Sequence, residues 1–291
     1  MEAQNIVSLK RELASDSGHS GADFYIWIWR MCTMEIKNAY VFETPLIEGL
    51  IRRRRNRFIM EVEVNGIVLD CHCPTTGRIG NIVFHDIPCL LSKSKDTTRR
   101  TPYTVEAISL DLLSDNNKSW IGIDQNAANR YVEHFLRTGQ LSAMVKNGGT
   151  VKREQKLGNS KLDFLVGNTY IEVKTPLTKL QVEIKDHITT KKAIEFNSYE
   201  RFTKHISELA GSLKQNERAI LLNCFIYNNP GYKVPNKNKN SNYIKGVVQS
   251  CIRQGIEIWQ INFKITPEEV NLIRYFETTN DFMNGGAALK E

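Results

Sequence analysis

The pair Gly167-Asn168, set between Val166 and Thr169, restricts the fold of this chain more than any other feature of its sequence. A two-residue loop that begins with glycine fits a type II′ turn, whose first position needs a positive φ, so Lys161 to Lys174 reads as one tight hairpin. If 166 faces 169, then counting back sets Asp163 opposite Glu172, with Cβ atoms about 4.5–5.5 Å apart. Period two assigns Leu162, Phe164, Val166, Ile171 and Val173 to an apolar face, and Lys161, Asp163, Glu172 and Lys174 to the other. Spacing alone leaves two readings of that second face. It is a surface salt-bridge ladder, or the opposed carboxylates share a cation that removes their repulsion.

For the second reading the chemistry is specific. Mg²⁺, with Mn²⁺ as an alternative, takes one or two protein carboxylates, keeps several waters and completes its shell with phosphate oxygens. Lys174, two residues past Glu172 on the same face, places an ammonium where it can position a water or offset charge growing on a phosphate. Asp163 and Glu172 are therefore the candidate metal ligands, with Lys174 as a catalytic candidate.

Upstream, Arg57 to Val64 and Ile67 to Cys73 flank Asn65-Gly66, a hairpin signal because both turn residues tolerate positive φ. Further short strands are expected at Asn81 to Phe84 and Pro88 to Leu91, which together read as a small β-barrel or compact sheet domain. The run Arg52, Arg53, Arg54, Arg55 and Arg57 precedes the first hairpin, and Lys93, Lys95, Arg99 and Arg100 follow the barrel strands. On a strand such a run cannot all face one core, so it is either a solvated charge run or a set of phosphate contacts.

Beyond residue 110 the pattern alternates strands with longer helices, which defines an α/β domain. Asn126 to Gly139 reads as a helix, Ala219 to Tyr227 as a buried central strand, and Tyr199 to Leu213 as an amphipathic helix with Asn197 and Glu200 as its capping box. Ile244 to Ile252 reads as another helix closed by Gly255, and Ile256 to Phe263 as a strand. Thr266-Pro267-Glu268-Glu269 is expected to open a last helix. Asn228 to Asn242 is a basic loop rich in Asn, Lys and Pro. The expected division is an N-terminal extension of unassigned role over 1–39, the barrel over 40–110 and the α/β domain over 111–291.

Lys and Arg number 39 against 32 Asp and Glu, a net charge of +7, which favours polyanionic partners. The six cysteines lack disulfide-framework spacing and read as reduced, buried thiols of a cytoplasmic protein. Cys71-His72-Cys73 reads as structural rather than zinc-binding, because a strand turns His72 away from its neighbours. No apolar stretch reaches the roughly 20 residues of a membrane helix, and no signal peptide is read. The sequence is compatible with a homo-oligomer.

A wider pattern runs through the chain: Arg57-Phe58, His72-Cys73-Pro74-x-Thr76-Gly77-Arg78, Arg99-Arg100-x-Pro102-Tyr103, Asn126-x-x-Asn129-Arg130, Glu154-x-x-x-Gly158, Asp163-Phe164, Tyr170-Ile171-Glu172-Val173-Lys174 and Lys204-His205. From about Tyr40 to Phe263 it resembles the sugar fermentation stimulation protein A family, and Asp163 with Glu172-x-Lys174 resembles the PD-(D/E)xK nuclease motif. The resemblance implies an N-terminal OB-like barrel that binds nucleic acid, followed by a PD-(D/E)xK-type nuclease domain. It makes Asp163 and Glu172 metal ligands, Lys174 the catalytic lysine and Glu154 a further acid near the metal. Ser160-Lys161 stands where the family usually has Ser-Arg, and Ile194 to Thr203 replaces a usual Phe-Pro-Asp-Ala and Arg-Gly segment. Residues before Met34 match nothing in the family, so an extension or an upstream start is expected there.

Two functions follow as expectations. The first is metal-dependent hydrolysis of phosphodiester bonds in DNA or RNA, with Arg52, Arg53, Arg54, Arg55, Arg57, Arg78, Arg99, Arg100 and Arg130 as phosphate contacts. The second is a non-catalytic DNA-binding regulator of sugar metabolism. His205 is expected on the polar side of its helix, as a surface residue.

Overall fold

The computed structural model describes residues 39–145, 149–157, 160–192, 200–214, 218–232 and 241–284. Contacts divide the chain into Met1–Asn38 and Ala39–Glu291, and everything described lies in the second unit. The aromatic patch of residues 24–29, Cys32 and the capping residue Asn197 lie outside the described residues.

Two sheets organise this unit. In the first, β2 (Ile47–Arg54), β3 (Ile59–Val64), β4 (Ile67–His72), β5 (Ile87–Lys93) and β6 (Tyr103–Ser109) run in the order β4-β3-β2-β5-β6. A parallel bridge between His72 of β4 and Thr104 of β6 closes them into a barrel, and β7 (Trp120–Gly122) pairs outside β6. Asn65 (φ 51°) and Gly66 (φ 80°) make the tight turn between β3 and β4, where Val64 faces Ile67. Strict alternation along β3 drives the packing: Met60, Val62 and Val64 enter the barrel core, while Glu61 and Glu63 stay partly exposed. Residues 81–84 form no strand of the barrel. Ile82 bridges Thr190 instead, and the Val83 and Lys191 amides bond the Thr189 and Asn81 carbonyls.

The second sheet has the order β1-β13-β12-β11-β10-β9-β8. Its members are β1 (Tyr40–Val41), β8 (Val151–Leu157), β9 (Ser160–Val166), β10 (Thr169–Lys174), β11 (Arg218–Phe225), β12 (Glu257–Ile265) and β13 (Glu269–Glu277). Its middle, β10-β11-β12, is parallel and its flanks are antiparallel. Helix α1 (Gln125–Arg137) covers one face, where Phe135 stacks on Phe263 with centroids 5.1 Å apart. Helices α2 (Glu200–Gly211) and α3 (Ser241–Arg253) cover the other, with Ile206, Leu209, Val248 and Cys251 buried against Leu221 and Ile258. A short α4 (Thr279–Met283) follows β13.

Two expectations need correction. The expected last helix is the strand β13. Thr266 Oγ1 accepts from the amides of Glu268 and Glu269, as an N-cap would, but the turn leads into Val270, Leu272 and Tyr275, which pack on the sheet core and pair with β12. The expected domain limits also shift, since β1 belongs to the α/β sheet and β7, past residue 110, belongs to the barrel sheet. Among the described residues, no helix is long and apolar enough to cross a membrane.

Candidate active site

The hairpin of β9 and β10 forms as its turn residues dictate: Gly167 has φ 55°, and Val166 faces Thr169, Leu165 faces Tyr170 and Phe164 faces Ile171. There the ladder stops, one residue short of pairing Asp163 with Glu172. The Val173 amide donates to Asp163 Oδ2 at 2.8 Å, so a side chain takes the place of a backbone acceptor. Face alternation breaks at the same point. Phe164 packs under α1, whereas Leu162, expected beside it, packs with α2 and α3.

Each carboxylate is oriented by a side chain from a different helix. Asn129, on α1, donates from Nδ2 to Asp163 Oδ1 at 2.8 Å. His205, on α2, has Nδ1 2.6 Å from Glu172 Oε1, and since a carboxylate oxygen only accepts, Nδ1 carries the proton. Lys174 Nζ donates to the same Oε1 at 2.5 Å. Glu172 is 3% exposed, and its other oxygen, Oε2, is buried with no hydrogen-bond partner among the described residues. Burial, and then the charge of Glu172, raise the Asp163 pKa above the usual carboxylate value, against the opposing pull of the Val173 amide, Asn129 and Lys174. Two acids therefore interact in one desolvated region, and one of them has an oxygen with no hydrogen-bond partner among the described residues. A hard cation bound there would satisfy that oxygen and relieve the repulsion. Among the described residues no set of three or more His, Cys, Asp or Glu side chains could hold a metal, so a cation here would have at most the two carboxylates as its protein ligands.

Glu154 is not brought into this group. It sits on the edge strand β8 at φ 54°, a conformation that turns its side chain out to a partner, Lys161, and it is 60% exposed. His205 is the residue that sequence reasoning misplaced: its side chain is only 15% exposed because it leans from α2 onto Glu172. The motif Lys204-His205 was its one available signal.

The arginines divide sharply. Arg52 pairs with Glu63 and Asp86, Arg53 with Glu61, and Arg55 with Asp70 and Glu61. Arg54 donates to the carbonyls of Thr75, Gly77 and Arg57. The run is thus largely answered by acids on neighbouring strands, since Glu61 and Glu63 line up across the ladder from β2. Arg130 lies 3.8 Å from Asp124 and 3.9 Å from Glu106. Arg78 is half-buried, and Arg57, Arg99 and Arg100 are exposed.

Glu106 and Asp124 form a second buried acid pair where the barrel meets α1, whose N-cap is Asp124. Burial, then Asp124, push the Glu106 carboxyl up to about 7. The native state therefore keeps a proton that the unfolded chain releases near 4.5, so Glu106 makes stability fall as pH rises from about 4.5 through about 7. Thermal unfolding followed across that range should lose this component of the slope in Glu106→Gln. An unaltered slope in the variant would count against the assignment.

The cysteines described, Cys71, Cys73, Cys89, Cys224 and Cys251, are buried free thiols, and burial raises their pKa values. That agrees with a structural part for Cys71 and Cys73.

Fold and site together define a closed barrel of OB type joined to an α/β domain that carries a buried carboxylate pair. Residues 53–123 match the SfsA N-terminal OB domain and residues 126–269 match the sugar fermentation stimulation protein RE domain. The chain belongs to the sugar fermentation stimulation protein family. A homolog from Gloeobacter violaceus is 31% identical over 246 residues, covering 81% of this chain and 95% of its own. One from a Picosynechococcus species is 30% identical, covering 79% and 90%. The structure of Pyrococcus furiosus SfsA in complex with Ca²⁺ matches with a TM-score of 0.64 at 19% identity, over 81% of this chain and 97% of that one.

Proposed function

We propose that the protein is a divalent-metal-dependent nuclease that hydrolyses phosphodiester bonds in DNA or RNA. The observation that carries the reading is Glu172 Oε2, buried and with no hydrogen-bond partner among the described residues, beside an Asp163 whose pKa is raised by burial and then by the charge of Glu172. Asp163 and Glu172 would hold Mg²⁺ or Mn²⁺, which when bound supplies Lewis-acid stabilisation of phosphate charge and a more acidic water. That the Pyrococcus furiosus relative was solved with Ca²⁺, another cation that prefers oxygen ligands, supports the same choice of metal class.

The remaining work falls to this chain's own groups. Lys174 keeps an ammonium at the edge of the pair, where it offsets negative charge developing on a phosphate. Asn129 and the Val173 amide fix the Asp163 carboxylate, and His205 fixes that of Glu172 while leaving Oε2 free. Glu154, exposed and bound to Lys161, has no part in this arrangement.

Partners that orient a metal ligand usually carry part of its affinity, so His205→Ala should weaken Mn²⁺ binding by roughly 10- to 100-fold, with His205→Gln recovering part of it. Calorimetry on the folded variants reads this directly, and unchanged affinity would remove His205 from the account.

The activity itself is tested by incubating the full chain with labelled single- and double-stranded DNA and RNA, with Mg²⁺, Mn²⁺ or EDTA. Fragments that appear only with metal support the nuclease. Salt-sensitive binding without cleavage under either metal would instead favour the DNA-binding regulator of sugar metabolism.

A further inference from the structure

The parallel strands β10, β11 and β12 carry polar side chains toward their carboxyl ends, where the sheet is otherwise apolar. Lys174 stands beside Asn223 in the ladder, and Asn223 stands beside Gln260. In-register neighbours of a parallel pair leave the sheet on the same face. Leu221, two residues before Asn223 and the partner of Glu172, is buried with Ile206 and Leu209 of α2. Asn223 therefore shares a face with Glu172 and Lys174, the face from which His205 of α2 reaches Glu172.

Most of the buried amides at this end of the sheet are paired into one network. Gln260 Nε2 donates to Asn262 Oδ1 at 2.8 Å, and its Oε1 accepts from the Tyr232 amide at 2.8 Å. Asn262 Nδ2 donates to the Asn229 carbonyl at 2.6 Å, and Asn229 Nδ2 to the Tyr227 hydroxyl at 3.0 Å. Asn223 differs from these. It is 4% exposed, and its Nδ2 is buried with no hydrogen-bond partner among the described residues. A buried donor left unpaired costs stability that an apolar side chain of the same shape would not cost.

Glu172 Oε2, an acceptor, is also buried without a hydrogen-bond partner among the described residues. The two cannot satisfy each other easily, because Glu172 and Asn223 are diagonal neighbours, with Cα atoms roughly 8 Å apart from the strand spacing and rise. A ligand that brings positive charge to the acid and an anionic oxygen to the amide fits both. Hard cations that keep part of their shell for phosphate oxygens have that composition. Between the two positions, Lys174 gives one ammonium proton to Glu172 Oε1 and keeps two. Ligands of α/β sheets bind outside the carboxyl ends of the parallel strands, which is where these groups stand.

We propose that Asn223 is a substrate-binding residue, whose Nδ2 donates to a non-bridging phosphate oxygen of the nucleic-acid strand beside the Lys174 ammonium. The inference deepens the nuclease reading and rests on it for the identity of the phosphate. A neutral amide suits the position, since it donates to an anion without repelling a cation at Asp163 and Glu172 as a second ammonium would.

Two measurements on the full chain test the assignment. In the first, the side-chain amide signals of ¹⁵N-labelled protein are followed by NMR while inorganic phosphate is added in the presence of Mg²⁺. The Asn223 pair, identified by its absence from Asn223→Leu or Asn223→Ser, should move saturably with phosphate and not with chloride at equal ionic strength. In the second, Asn223→Leu keeps the branching of the side chain and removes the donor. It should unfold at the parental temperature or above and keep the parental Mn²⁺ affinity, yet lose about tenfold to a hundredfold in kcat/KM, the worth of a hydrogen bond to a charged group. Asn223→Ser, which retains a donor, should recover part of that loss. An Asn223 signal indifferent to phosphate would overturn the proposal, as would a folded variant without the donor that cleaves like the parent. If the parent cleaves nothing under any metal, the nuclease reading fails, and the phosphate titration alone decides the subsite.

Discussion

Asp163→Ala and Glu172→Ala should each reduce the proposed metal-dependent cleavage by on the order of a thousandfold, while affinity for nucleic acid in EDTA should stay close to that of the parent. The expectation follows from what each side chain does in the fold. Asp163 uses both oxygens on fixed donors, the Val173 amide and Asn129 Nδ2, so it is held in one orientation. Glu172 uses Oε1 for Lys174 and His205 and leaves Oε2, which has no hydrogen-bond partner among the described residues, for the proposed cation. Removing either acid would halve the protein's share of the proposed metal shell, and neither is a residue of the barrel. Single-turnover cleavage at saturating protein, with anisotropy run in parallel, separates the two quantities. A variant that cleaves at the parental rate would remove the site from the reaction. The double variant should be no worse than the worse single one, since both act through one ion.

Gly122→Ala is the second large effect, and it falls on stability. The Gly122 amide donates to Ile226 O at 2.8 Å, joining the last barrel-sheet strand to the chain leaving β11. A Cβ on Gly122 would overlap Ile226 Cγ2 and Cβ, and no rotamer change can withdraw Cβ, which the backbone fixes. Both strands would have to separate, and overpacking of this kind costs about 1–3 kcal/mol or more. Denaturant unfolding should show that loss, and replacing Ile226 with Ala in the Gly122→Ala background should recover part of it. A Gly122→Ala protein as stable as the parent would mean that the barrel and the α/β sheet are not locked at this point.

Much of this architecture is legible in the residues because turn chemistry is local. Asn65-Gly66 and Gly167-Asn168 each permit few backbone conformations, so each fixes a hairpin and with it a register. Helix α1 follows equally from its buried stripe of Ala127, Tyr131, Phe135 and Leu136, with Asp124 capping its start and Gly139, at φ 73°, just past its end. What failed depended on partners distant in sequence. Thr266 makes the same hydrogen bonds to following amides whether a helix or a strand comes next, and only pairing with β12 decides between them. For the arginine run, the sequence reading did not see that Glu61 and Glu63, alternating with buried Met60 and Val62, offer it cross-strand partners.

The site shows the same division. Spacing brought Asp163 and Glu172 together, but it could not tell that Asp163 would capture the Val173 amide and end the ladder. Nor could it show that His205 and Asn129 reach the two acids from helices on opposite faces of the sheet. Glu154 sits across from Asp163 on β8, yet its backbone at φ 54° sends the carboxylate to Lys161. Adjacency in a pattern is therefore a weaker guide than the direction in which a strand turns its side chains.

On the proposed function, Asp163 and Glu172 bind one cation between them. Isothermal titration of Mn²⁺ into the full chain, without nucleic acid, tests it most directly. One saturable site per chain is expected, absent in Asp163→Ala and in Glu172→Ala but retained in Glu154→Ala. Equal binding in the parent and both site variants, or no binding in the parent, would contradict it.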